Sequence, residues 1–291
     1  MMHGRWRVVH GWALAALLMM GVVPLKAQNP DGWYMSWGYN RSSYLKSDLH
    51  VWGEGPNGPF DLHFDQAAAS DMPERFQAKV YLNPTLFTIP QFDVRFARQI
   101  KEHTWLSIGW DHMKYKLIDQ WMEATGVAAA GDLALTPTDL ANVADLAADA
   151  PVSLDHAELW WGNGFNYEHS DGLNFVRVGL EQTARLVQTD RFPHSAIDAF
   201  ATLSAGLAVC STDFTWAGER TKNAQHVSGY GASALLGARF HAGEHLFLQL
   251  TAQSGGIRLP WVRVQGPDTE AGAVQSIGFS ERAFALGYRF G

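Results

Sequence analysis

Eight charged side chains fall where an alternating chain turns successive residues to one inner side: Asp93, Arg95, Asp111, Arg177, Glu181, Arg239, Glu281 and Arg289. Most stand between apolar neighbours, as in Val94-Arg95-Phe96 and Val176-Arg177-Val178. Acids and bases enclosed in a narrow interior have to pair, because an unpaired buried charge costs several kcal/mol. Two uses of such a set are open: a structural plug of salt bridges, or a route for protons or solutes.

A second set consists of His50, His63, His112, His156, His169 and His226 together with Asp48, Asp61 and Asp65, all expected toward one end of the molecule. None of these pairs has a spacing that marks a metal motif, such as i, i+4 on a helix. The expectation is solvated loop histidines, with no metal and no other cofactor. Trp121, Trp160, Trp161, Trp216 and Trp261 fall in the same outer segments. Binding of glycans or proteins and plain loop packing explain them equally well. Cys210 has no partner for an internal disulfide and reads as a small packed side chain.

The elements that must position these groups are strands of period two. From His226 to Gln253, Tyr230, Ala232, Ala234, Leu236, Ala238 and Phe240 share one face, and Leu246, Leu248, Leu250 and Ala252 continue it after a turn at His241–His245. About ten residues per arm are what a tilted strand needs to cross a bilayer with lipid on one face and a polar interior on the other. The same alternation recurs over 33–44, 91–100, 104–116, 174–186, 199–212 and 275–290. Short connections follow Ile100, Pro193 and Phe240, and long ones lie between them. The fold expected is therefore all-β, a closed antiparallel transmembrane β-barrel of eight strands, or ten if one loop hairpin enters the membrane.

Long outer loops are expected over 46–90, 117–171 and 257–274. The first holds a hairpin of 48–52 with 60–64 around the Gly/Pro-rich 53–59. The second holds a helix with Thr136 as N-cap, Pro137 in the first position and Leu140, Val143, Ala144 and Ala147 on one stripe. Beyond it, Asn163-Gly164 signals a hairpin of 159–161 with 165–167.

Residues 1–27 read as a signal peptide, with Arg5 and Arg7 ahead of the apolar run 12–23, leaving a single barrel domain over 28–291. The formal charge of −7 becomes more negative once Arg5, Arg7 and Lys26 are removed, which argues against nucleic acid as a partner. Membrane lipid and lipopolysaccharide are expected around the barrel, with an extracellular ligand or protein at the loops.

Ala285-Leu286-Gly287-Tyr288-Arg289-Phe290 resembles the C-terminal signal by which bacterial outer-membrane barrels are handed to the assembly machinery. Gly38-Tyr39-Asn40-Arg41, Ser47-Asp48-Leu49-His50, Ile89-Pro90-Gln91-Phe92, Asp111-His112-Met113-Lys114-Tyr115, His169-Ser170-Asp171-Gly172-Leu173-Asn174 and Val227-Ser228-Gly229-Tyr230-Gly231 together resemble a family of Bacteroidetes outer-membrane barrels. That resemblance implies fold and location and no activity. The chain is also similar to lipid A deacylases, small barrels with a His, Ser, Glu triad, which would make His169, Ser170 and Glu181 the triad and Asp171 an alternative acid. Strand geometry opposes this, since about twelve residues at about 3.3 Å each separate His169 from Glu181 by roughly 40 Å. Ser170 also faces the opposite way from both. A triad needs hydrogen-bond reach between its members, so the residues favour a barrel without catalysis.

Overall fold

The computed structural model describes residues 32–72, 79, 90–189 and 192–290. The expected leader over 1–27 lies outside the described residues, as do Glu74 and Arg75 of the first outer loop and the turn residues Asp190 and Arg191. Among the described residues fifteen strands form one sheet: β1 (Trp33–Tyr44), β2 (Ser47–Glu54), β3 (Pro59–Ala67), β4 (Ala69–Ser70), β5 (Phe92–Lys101), β6 (Thr104–Leu117), β7 (Gln120–Ala129), β8 (Pro151–Trp161), β9 (Asn166–Thr189), β10 (Phe192–Cys210), β11 (Asp213–Trp216), β12 (Glu219–Lys222), β13 (His226–Ala242), β14 (Leu246–Arg263) and β15 (Gly272–Phe290). Eight of them close a ring in the order β1-β5-β6-β9-β10-β13-β14-β15, and β15 returns to β1 in antiparallel register from Trp33↔Phe290 to Tyr44↔Phe279.

The ring presents a belt of large apolar side chains outward, including Met35, Ile108, Val178, Leu203, Leu250 and Leu286, all of them exposed. Facing inward at the same height are Arg95, Ser107, Arg177, Glu181 and Gln249, all buried. Water would penalise that arrangement on its outer face, whereas lipid favours it, so the belt marks the bilayer-spanning zone. Farther up the same strands the polarity inverts. On β15, Phe284, Leu286, Tyr288 and Phe290 point outward in the belt, but above it Ser276, Ser280 and Arg282 do so, while Ile277 and Phe279 point inward and are buried. The spanning zone ends where the apolar residues change sides.

The strands continue well past that level. β9 has 24 residues and β10 and β15 have 19 each, against the 9–11 or so that a crossing requires. β2 pairs with the upper end of β15, and β3, β7 and β8 follow edge to edge, so the wall of the barrel is carried upward into an outer sheet. Its inner face, with Leu49, Val51, Phe60, Leu62, Phe64, Met122 and Leu159, packs into one apolar core with Phe214, Trp216, Leu259 and Val262. Phe60 stacks on Trp216 at 4.2 Å. Gly126 lets β3 and β7 approach, since it holds φ +140° and a Cβ there would lie 2.0 Å from the Asp61 carbonyl oxygen.

Three local expectations are corrected. The helix expected to start at Pro137 is absent. The Thr136 hydroxyl and the Pro137 carbonyl are instead bonded to the Trp160 backbone, and Thr138 bridges to Leu159, which draws 136–138 alongside β8. Asn142 is left-handed, and only a 3-10 turn forms at Val143–Asp145; the segment's short α-helix, α1, lies earlier, at Ala130–Leu133. Asn163 and Gly164 do take positive φ, but β8 pairs with β7 and not with β9, so they join two strands of different pairs. The last outer connection is much shorter than expected, because β14 runs to Arg263 and β15 begins at Gly272.

Candidate functional site

Within the spanning zone the inward charges form a connected ladder. Arg177 of β9 donates Nε to Asp111 Oδ2 at 2.7 Å and Nη2 to Asp111 Oδ1 at 2.6 Å, a bidentate fork, and also reaches Asp93 Oδ2 at 3.2 Å. Gly109 stands opposite Arg177 in the β6–β9 register, where a Cβ would lie 3.0 Å from the guanidinium carbon. Gln253 donates to Asp111 at 3.0 Å, and Asn40 donates to Glu281 at 2.8 Å. Asp93, Asp111 and Glu281 bring carboxylate oxygens within 4.8 Å of one another, and the Arg177 guanidinium bonds two of the three.

Arg95 links this layer to the next. Its Nη2 lies 3.5 Å from Asp93 and its Nη1 3.8 Å from Glu181. Glu181 accepts from the Tyr34 hydroxyl at 2.6 Å and from Arg239 Nη2 at 3.1 Å. The Arg239 guanidinium also lies over the rings of Tyr34, Phe200 and Phe247 at 4.3, 4.6 and 4.8 Å. Arg289 is set apart, half-buried near the short-turn end over the Trp105 ring at 5.5 Å. A cavity of about 510 Å³ opens there, lined among others by Arg185, Asp198, Arg239, His241 and Arg289.

The residues of the triad idea are not brought together. Glu181 belongs to the ladder, whereas His169 lies on the part of β9 above the belt, fully buried, with Nδ1 3.1 Å from the Thr212 hydroxyl. Burial, reinforced by His226, pushes the His169 pKa down to about 3, so the ring stays neutral. Ser170 donates to Glu168 Oε1 at 2.8 Å, and Asp171 pairs with Lys222. Neither serine nor acid is thereby positioned on the imidazole as nucleophilic catalysis requires.

At the outer surface the structure does unite residues that sequence spacing left separate. β2 and β3 pair His50 directly with His63, their rings stacked at 3.8 Å and 12°, and His50 Nε2 lies 2.7 Å from Asp61 Oδ1. Farther along the same face, Asp65, Glu123 and His156 converge from β3, β7 and β8, with His156 bonded to Glu123. The signal that could have revealed the first group was the expected hairpin itself: closing it around 53–59 in register sets position 50 against 63.

A closed antiparallel barrel with an apolar girdle, a polar interior and short turns opposite tall extensions defines the class: an integral β-barrel of the bacterial outer membrane. No protein-family model matches the chain, and no curated protein matches it. Among solved structures, the attachment invasion locus protein Ail of Yersinia pestis is similar at 10% identity, with 90% of this chain and 100% of that one covered and a TM-score of 0.35. Neisserial surface protein A is similar at 8% identity, over 89% of this chain and 97% of that one, with a TM-score of 0.36.

Proposed function

We propose that this chain is a non-catalytic outer-membrane barrel, closed to through-transport, which uses its outer sheet as a binding platform and its ring as the anchor. The observation that carries the reading is the ladder: Asp111, Arg177, Arg95 and Glu181 are each no more than 1% exposed although they line the barrel interior. An open pore would wet its own lining. An eight-stranded ring is narrow enough for side chains to fill it, and here a bidentate ion pair, Phe175, Phe279, Tyr34 and Phe247 do so. The resemblance to Bacteroidetes outer-membrane barrels supports the anchoring part of this reading, since it implies fold and location alone.

The partners follow from position. The outward Arg282, opposite Arg41 across β15 and β1 just above the belt, stands at a depth suited to the phosphates of lipopolysaccharide, while the Arg41 guanidinium is engaged by Asp71. Phe290, at the end of the closing strand, is the residue offered to the assembly machinery. Planar-bilayer recording of the refolded full chain tests the closed interior: no stable unitary conductance is expected, and reproducible single-channel steps from the wild-type protein would overturn it.

A further inference from the structure

The outer face of the extension carries a row of ligand-type side chains on one strand. Asp61, His63 and Asp65 alternate along β3 with the buried Leu62 and Phe64, so all three project away from the apolar core. To one side, His50 on β2 joins Asp61 and His63; to the other, Glu123 and His156 join Asp65. In each trio the candidate ligand atoms lie within 4.8 Å of one another. Residues directly opposite on paired strands hold their Cβ atoms about 4.5–5.5 Å apart, so the register itself brings the two imidazoles together.

We propose that His50, His63 and Asp61 form a binding site for a divalent transition-metal ion of the zinc type. The proposal rests on the reading that this sheet stands outside the membrane as a binding platform, and it names what the platform takes. Two imidazoles and one carboxylate suit zinc, copper or nickel, whereas magnesium and calcium take oxygen-rich shells. Metal–nitrogen and metal–oxygen bonds of about 2.0–2.2 Å place neighbouring donors about 3–3.5 Å apart. Reaching that spacing requires the stacked imidazoles to rotate out of their face-to-face contact, for which there is room, because His63 and Asp61 are exposed and His50 is partly so. Three protein ligands leave a fourth position for water or for a group on a partner molecule. The Asp65, Glu123 and His156 trio, with a single imidazole, is the weaker neighbouring seat.

The test is zinc titration of the full-length protein refolded in detergent, with magnesium as the control ion and heat-modifiable migration on gels as the check of folding. Wild type should bind zinc saturably and far more tightly than magnesium. The His50→Ala/His63→Ala variant, still heat-modifiable, should bind zinc at least tenfold more weakly, the remaining affinity belonging to the second trio. Zinc binding by that variant equal to wild type would overturn the site, as would wild-type protein that prefers zinc no more than magnesium. Placement of the sheet is read separately, by labelling intact cells carrying Leu135→Cys with a maleimide that cannot cross the membrane. Zinc bound with no label taken up would sink the outward placement and leave the site standing; label taken up with no zinc bound would do the reverse.

Discussion

At the scale of single residues, Asp71 shows how the wall above the belt is tied to the ring. Arg41 forks onto its carboxylate at 2.7 and 2.9 Å, the Ser42 amide donates at 3.1 Å and Gln91 at 3.3 Å. Burial pushes this carboxyl up, but the hydrogen bonds and the guanidinium charge outweigh it, and its pKa lies below the ordinary carboxylate value. A carboxyl depressed on folding contributes stability that is present above its unfolded pKa and is lost as pH falls through its folded one. Asp71→Asn is therefore expected to be less stable than wild type near neutral pH and to converge with it as pH falls through and below the depressed pKa of Asp71. Urea unfolding midpoints across that range check this; parallel curves at all pH values would show that Asp71 does not supply the acid sensitivity.

Among the elements, the outer sheet is held by its apolar face and the ring by its own closed ladder, so damage to one should spare the other. Leu62 is fully buried between Asp61 and His63, which are exposed. Leu62→Asp places an unpaired charge in an apolar core, a change costing several kcal/mol, whereas Asp61→Asn alters only the surface. Limited proteolysis of outer-membrane preparations should cut Leu62→Asp within β2, β3 and β7 while the ring remains heat-modifiable, and should leave Asp61→Asn intact. Loss of the ring along with the sheet would mean that the two fold as one cooperative unit.

For the whole molecule, orientation in the bilayer follows from which face of each ring strand is apolar. Leu250 is 49% exposed on the belt, while Thr251 turns inward between Gly237 and Ala283. Arginine on the lipid face near the bilayer midplane costs about 2–4 kcal/mol. Leu250→Arg should accordingly reduce the assembled, heat-modifiable fraction in the outer membrane well below that of Thr251→Arg. Equal yields of the two would contradict the assigned faces. Gln249 is a poorer interior control, since its amide oxygen accepts from Arg239 at 3.0 Å and a second arginine there would repel the first.

Alternation along single strands was enough to determine the ring, because the facing of each residue in a crossing strand is a local property with a period of two. Eight crossings and their lipid faces were legible in this way. What joins to what above the membrane was not, since pairing of β15 with β2 and of β3 with β7 connects residues far apart in sequence through backbone bonds that carry no side-chain pattern. The stripe Leu140, Val143, Ala144 and Ala147 read as a helix because helical spacing is also local, yet β8 captured the backbone just before it. Part of the ladder likewise depended on closure: Arg177 meets Asp111 between the adjacent strands β9 and β6, but only when β1 faces β9 and β14 faces β6 across a narrow interior does Tyr34 reach Glu181 and Gln253 reach Asp111. The meeting of His50 with His63 was decided by register, and register belongs to the pair of strands and to neither alone.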